Sequence, residues 1–202
     1  MNLELCPLCS AIVRNVHDVP IWDTILLETA NFLVTPSIGP LVRGHIMILS
    51  KEHHLSLASM PDEQIKECLD IAEKLAIIRK EPLLFSEHGS FNSQMGGACI
   101  EHTHIHVIPN YSRFYHVLDN VLPVNKEFEA VQKLTHLKSV DFPYILNFTS
   151  DGKMRLYQAY NAYSQMMRRG ICNALNRPDW DWSKNEKIDL IKETIKEWKM
   201  LI

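Results

Sequence analysis

Three imidazoles at alternate positions, His102, His104 and His106 in EHTHIHVIP (101–109), are the densest chemistry in the chain. Thr103, Ile105 and Val107 lie between them, so the run alternates at period two, the pattern of a strand with one face against a core. The histidines then share the other face. Successive same-face side chains sit roughly 6–7 Å apart, because a strand rises about 3.3 Å per residue. That spacing suits different tasks along one anionic substrate better than joint ligation of one small ion. A neutral imidazole offers a free nitrogen for nucleophilic attack or proton transfer, and its ordinary pKa of about 6.5 keeps that form populated at neutral pH. A lone histidine of this kind is more often incidental; three in register are hard to explain as packing.

A second cluster opens the chain. Cys6 and Cys9 of CPLC can present two thiolates to one tetrahedral metal or form a redox pair, and the spacing alone leaves both open. No βαβ pattern surrounds them, which weakens a thioredoxin-like reading. Two adjacent histidines, His53 and His54, follow GHIMILSKE (44–52). The loop before the triad, SQMGGAC (93–99), carries Gly96 and Gly97, at which backbone N–H groups can approach a phosphate closely. Nearby Asn92 offers a polar side chain. Cys99 reads equally as a weak donor or as a small buried residue. For His88 in EHG (87–89), a surface position at a strand end and a ligand contact are equally supported.

The run HTHIHVI resembles the signature of the histidine triad superfamily of nucleotide hydrolases and nucleotidyl transferases. GHIMILSKEHHLSL (44–57) is similar to that family's GHxLφφPKxH segment, φ being an apolar residue, and GGACIEH (96–102) to its loop before the triad. The likeness spans about residues 5–110. It implies an α+β fold with a five-stranded antiparallel sheet. It also implies that His104 is the nucleophile taking up a nucleoside monophosphate and that His106 stands beside the phosphate. Transferring members commonly carry Gln at the third position, so His106 points toward hydrolysis. Members with an N-terminal CxxC bind structural zinc through that pair, the KxH histidine and the first triad histidine. Here these are Cys6, Cys9, His53 and His102. His54 is the rival of His53, because Ser50 replaces the usual Pro and a slip by one residue is open. The loop departs from the family's GQSφxH: Gly97, Ala98 and Cys99 align with Gly, Gln and Ser, and Ala98 offers no side-chain hydrogen bond. His45, in the family's GH pair, is expected to pack and hydrogen-bond beneath the site.

Turns and apolar periods place these residues on elements. TILLETANFLVTP (24–36) reads as two short strands or one kinked pair, GHIMILS (44–50) as a strand, and PLLFSEHG (82–89) as the strand feeding the triad loop. Residues 62–80 put Ile65, Leu69, Ala72 and Leu75 at helical spacing, with Cys68 on or beside the apolar face. Beyond residue 110 the pattern predicts a short helix over 126–139, a hairpin over 143–159 around Ser150, Asp151 and Gly152, and helices near 160–176 and 184–200. The domain reading is a core with its zinc motif over 1–110 and a C-terminal extension packed on it over 111–202. In that extension Trp180, Trp182 and Trp198 read as docking anchors. Gln165 and Arg168 read as a solvated helix face or as groups reaching a distal phosphate, docking being the better supported.

Composition sets the frame. The 202 residues, 46% hydrophobic and 22% charged, are enough for a full core, and a net charge of −3 argues against nucleic acid as the main partner. The start MNLELCPLCSAI has neither a basic run nor a long apolar one, and no apolar run approaches the ~18 residues of a membrane helix. Five cysteines, an odd count, fit a reducing compartment, so the expected location is cytoplasmic. The expected activity is hydrolysis of nucleoside phosphate anhydrides or phosphoramidates, such as dinucleoside polyphosphates, through a nucleotidyl-histidine intermediate. Nucleotidyl transfer or phosphorolysis, and a non-catalytic nucleotide-binding regulator, are the alternatives. By resemblance to small family members, which pair sheets across a two-fold axis, a homodimer is the expected assembly, although the extension competes for that edge.

Overall fold

The computed structural model of this chain describes residues 6–13, 20–90, 100–128, 137–160 and 162–202. Its strands are β1 (Leu27–Glu28), β2 (Phe32–Pro36), β3 (Ile46–Ser50), β4 (Leu83–Gly89), β5 (His104–Pro109), β6 (Val124–Phe128), β7 (Tyr144–Thr149) and β8 (Met154–Gln158). They form one sheet in the order β1-β2-β3-β5-β4-β7-β8-β6. Its neighbours pair antiparallel throughout. The helices are α1 (Pro7–Val13), α2 (Asp62–Arg79), α3 (Met166–Ala174) and α4 (Ile188–Leu201). The fold is α+β, and none of the described helices is long and apolar enough to cross a membrane.

Alternation along the strands sorts the two faces. Ile46 and Ile48 of β3, Phe85 of β4, and Ile105 and Val107 of β5 pack against Ile65, Cys68, Ala72 and Leu75 of α2. Each large apolar side chain buried there contributes roughly 1.5–3 kcal/mol, and Cys68 is the core residue its spacing suggested. On the opposite face Leu84 and Ile108 pack against Met167, Ile171 and Cys172 of α3. The histidines of β5 therefore lie on the face that the C-terminal extension covers.

The hairpin expected over 143–159 forms and continues the sheet past β1–β5: β7 pairs with β4 from Leu84 opposite Thr149 to Gly89 opposite Tyr144. The helix expected over 126–139 is corrected at its start, since Val124–Phe128 is a strand paired with β8. Residues 129–136 lie outside the described residues, and 137–139 make a single 3₁₀ turn. Pairing with β8 exists only in the assembled sheet, and it overrides the local helical pattern.

Helix α4 docks on the turn that opens β3. The fully buried Trp198 donates its indole N–H to the Gly44 carbonyl at 3.0 Å, and the Gly44 N–H donates to Thr194 Oγ1 at 2.9 Å. Gly44 has φ +83°, which an L side chain rarely adopts. Both of its backbone groups are thus satisfied by the extension, as buried backbone requires.

Beneath the sheet, on the α2 side, Glu87 is buried and accepts from the Leu57 N–H at 2.7 Å and the Tyr144 hydroxyl at 2.5 Å. Burial outweighs these bonds and pushes its pKa up to about 7. A carboxyl whose folded pKa lies above its unfolded value favours folding while protonated. That contribution is fully present below about pH 4 and is lost as pH rises through about 7. Glu87→Gln, which cannot ionise, should lack this loss. Denaturation of the two proteins side by side from about pH 5 to 8 should show the parent losing stability relative to the variant as pH rises. Parallel curves would contradict the buried-carboxyl account.

Candidate functional site

His102 precedes the strand instead of lying in it. The Thr103 N–H and hydroxyl both bond the His54 carbonyl, at 2.7 and 3.1 Å, and regular β5 pairing begins at His104. This irregular step turns the His102 ring to the start of the chain. Its Nδ1 lies 3.5 Å from Cys6 Sγ and 3.4 Å from Cys9 Sγ, while Cys9 Sγ lies 3.3 Å from His53 Nδ1. One ligand-capable atom from each of Cys6, Cys9, His53 and His102 falls within 4.8 Å of the others. His54 is not in the cluster; its ring sits 3.4 Å from the Glu52 carboxylate.

The donor set fits a tetrahedral metal ion. Ligands held at about 2.0–2.3 Å from one metal are separated by about 3.5 Å, the separation observed here. His102 Nε2 lies 2.7 Å from the Ser50 carbonyl and donates to it, so Nδ1 carries the lone pair and faces the thiols. A second ring nitrogen held by a carbonyl is the usual orientation of a metal-binding histidine. Burial, followed by the neighbouring Cys6 thiol, raises the Cys9 pKa to about 11. A cation between the sulfurs would reverse that effect.

His104 and His106 follow on β5. The His104 Nδ1–H donates to the His102 carbonyl at 2.7 Å, which leaves Nε2 with the lone pair. Burial lowers the His104 pKa, keeping the ring neutral. His106 Nδ1 lies 3.0 Å from His45 Nε2, and His45 Nδ1 accepts the Leu41 N–H at 3.1 Å. Because a backbone amide can only donate, neutral His45 carries its proton on Nε2 and gives that hydrogen bond to His106 Nδ1. His106 must then carry its own proton on Nε2. Burial first, then neighbouring positive charge, holds both pKa values well below the ordinary histidine range. His45 is therefore the group that fixes the tautomer of His106, a specific form of the packing and hydrogen bonding expected of it.

One cavity brings these groups together. His104 and His106 line it with Ser86 and His88 of β4, Met47 and Leu49 of β3, Thr35 of β2, Trp22 and Asp23, and Leu8 of α1. His88 thus belongs to the cavity wall; burial and then the His104 ring lower its pKa to about 4, and its buried Nε2 has no hydrogen-bond partner among the described residues. The buried Thr35 Oγ1 likewise has none. The cysteines at the two ends of the first turn of α1 tie this helix to the metal cluster, while Leu8 between them faces the cavity. Asn92, Gly97 and Cys99 lie outside the described residues. Trp22, Asp23 and Thr35 were missed because nothing in their spacing marks them; the fold alone brings them to the histidines.

Residues 20–113 match the HIT domain family model. Over this stretch the chain resembles a HIT domain. Among its relatives, an uncharacterized HIT-like protein of Borreliella burgdorferi is 27% identical over 135 residues, 64% of this chain and 93% of the relative. An adenosine 5'-monophosphoramidase of Candida albicans is 27% identical over 90 residues, 42% of this chain and 59% of that enzyme. The crystal structure of a histidine triad nucleotide-binding protein from Candida albicans is similar at a TM-score of 0.41 and 24% identity, covering 52% of this chain and 73% of that one. The HIT domain match ends before β6, so β6–β8, α3 and α4 lie beyond it.

The cluster generates a direct test. Protein purified without added metal should contain about one metal ion per chain. Cys9→Ser and His53→Ala should each lower the metal content and the melting temperature, because metal binding energy appears as folding energy when the site is not preformed. His54→Ala should keep its metal. A metal-free parent, or full metal in His53→Ala with a deficit in His54→Ala, would overturn the cluster or its register.

Proposed function

We propose that this chain is a nucleotide hydrolase that cleaves a nucleoside phosphate anhydride or phosphoramidate through a nucleotidyl-His104 intermediate, with zinc at Cys6, Cys9, His53 and His102 in a structural role. The observation that carries this reading is the bond from His104 Nδ1–H to the His102 carbonyl, which leaves a neutral ring with its Nε2 lone pair available in a lined cavity. Nε2 attacks phosphorus, the bond from phosphorus to the leaving group breaks with its electron pair on that group, and water then cleaves the N–P bond to release the nucleoside monophosphate. The positive charge that develops on the His104 ring during attack is stabilised by the carbonyl that holds Nδ1–H. His106 Nε2–H donates a hydrogen bond to the phosphoryl oxygens. Apolar Leu8, Trp22 and Leu49 suit a base, and Asp23 with the buried Thr35 hydroxyl suits ribose hydroxyls. Two thiolates and two imidazoles in a closed tetrahedral set favour zinc over harder cations. Zinc there holds α1 against the cavity and takes no part in the bond changes.

Hydrolysis is preferred to nucleotidyl transfer because the third triad position is His106. His104→Ala should retain nucleotide binding and lose turnover by at least about 1,000-fold, because the bound nucleotide has lost its nucleophile. Quenched reactions of the parent analysed by mass should show a nucleotidyl adduct on His104. Turnover near the parent's rate in His104→Ala would exclude the mechanism. Nucleotide transferred to added phosphate or sugar phosphate in place of water would identify a transferase.

A further inference from the structure

Two of the cavity's walls come from outside the central strands, and they are held in different ways. One belongs to the C-terminal extension: Gln165, Met166, Met167 and Arg168 from the start of α3, with Trp182 after it, line the same space as His104 and His106. Arg168 donates Nε–H to the Trp180 carbonyl at 2.8 Å and Nη2–H to the Gly39 carbonyl. Gly39, with φ +56°, is packed so closely that a Cβ there would lie 2.6 Å from the Asn185 carbonyl oxygen. Met167 and Ile171 share a buried apolar cluster with Leu84 and Ile108 of the sheet. The extension is thus docked here, as the sequence favoured.

The other wall is α1, from which Pro7, Leu8 and Ala11 line the cavity. It is seven residues long, and a helix shorter than about 12–15 residues is marginal in water by itself. Among the described residues, no side chain of residues 7–12 belongs to or packs against the three buried apolar clusters. Ser10 bonds the Cys6 carbonyl through its N–H at 3.0 Å and its hydroxyl at 3.1 Å, so those hydrogen bonds stay within the segment. Among the described residues, the polar contacts that join the segment to the sheet are those of its two thiols: Cys6 and Cys9 with His102, and Cys9 with His53.

The same two sulfurs are a dithiol. Cys6 stands just before α1 and Cys9 in its first turn, the Cys9 N–H points to Cys6 Sγ at 3.5 Å, and the four ligand atoms all lie within 4.8 Å of one another. An S–S bond is about 2.05 Å long, so a small shift within one turn joins the pair. Cys9 is half-buried and open to a small oxidant, whereas Cys68 and Cys172 are sealed in the apolar clusters. A thiolate is a metal ligand, but a disulfide has given up that charge, and His53 with His102 is only half of a tetrahedral set.

We propose that Cys6 and Cys9 form an oxidation site that governs the α1 wall: a hydroperoxide joins the two sulfurs, the metal-binding set is broken, and α1 leaves the cavity. One thiol attacks the peroxide, its O–O bond breaks, and a sulfenic acid forms with loss of one water when the oxidant is hydrogen peroxide. The second thiol then displaces the hydroxyl as another water, and the S–S bond forms. The two sulfurs supply the two electrons that the peroxide takes up. The bond from His104 Nδ1–H to the His102 carbonyl passes through neither sulfur, so oxidation acts on the wall and on binding. The consequence for nucleotide binding rests on the hydrolase reading above; the metal and helix consequences do not.

The test treats the metal-loaded protein with hydrogen peroxide and follows four quantities: metal released to a chelating dye, intact mass with peptide mapping, hydrogen exchange at the α1 amides, and affinity for a nucleoside monophosphate by calorimetry. Metal release should track the loss of two hydrogens in mass, mapped to a Cys6–Cys9 bond, while the α1 amides lose protection. Affinity should fall about tenfold or more, the factor that one Leu-sized apolar contact supplies. A dithiol with added zinc should restore all four. Leu8→Ala should keep its metal when reduced and still bind nucleotide more weakly, which a wall without a part in binding would not show. Metal retained after the disulfide forms, sulfinic acid or a different cysteine pair in place of the Cys6–Cys9 bond, or α1 amides still protected in the oxidised protein would each overturn the proposal. So would a reduced parent that takes up no zinc. A reduced parent that binds no nucleotide overturns the hydrolase reading, and the metal, mapping and exchange results then decide the oxidation site.

Discussion

His102 is the residue on which the two halves of the site meet. Its ring gives Nδ1 to the cysteine cluster and anchors Nε2–H on the Ser50 carbonyl, while its own carbonyl accepts the Nδ1–H of His104. Rotation of this one residue would break both its contacts to Cys6 and Cys9 and the bond that sets the His104 tautomer. The cysteine cluster and the His104 ring are thus joined through the His102 carbonyl.

The imidazoles of the site work by being neutral and by being oriented. Burial in a cavity walled by β3, β4, α1 and α3 lowers the pKa of His45, His88, His104 and His106 alike. Two backbone groups then settle which nitrogen carries each proton. The His102 carbonyl requires Nδ1–H on His104, and the Leu41 amide forces Nε2–H on His45 and so on His106. The result is one lone pair and one N–H side by side on the same strand face. Side chains would have titrated or rotated in such roles; backbone groups do neither.

The C-terminal extension belongs to the architecture at three levels. Its strands continue the central sheet from β4, its helix α3 closes the histidine face through Met167 and Ile171, and its helix α4 satisfies both backbone groups of Gly44. Gly44 immediately precedes His45, so the docking of α4 fixes the backbone that carries the tautomer-setting ring. The Arg168 bridge to Gly39 does the same for the other end of that loop. A loop held at two glycines by a separate part of the chain is a rigid support for the cavity wall.

The sequence by itself determined the local chemistry. Period-two alternation put His104 and His106 on one face with Ile105 and Val107 on the other, because side chains along a strand must alternate. Helical spacing sent Cys68 into the core with α2, and turn residues marked the hairpin that became β7 and β8. The metal cluster was legible only as two cysteines plus a resemblance, since thiol and imidazole from residues 6, 9, 53 and 102 share no local pattern. Tertiary structure decided the rest. It chose His53 over His54, because the His54 carbonyl is spent on Thr103 and its ring turns to Glu52. It made 126–128 part of a strand where the chain read as helix, because the partner strand lies some thirty residues away. It also brought Trp22 with Asp23, Thr35 and Arg168 to the histidines from three separate places in the chain. Alternation and spacing are properties of neighbours in sequence, whereas a cavity is a property of surfaces that meet only after the sheet has formed and the extension has closed over it.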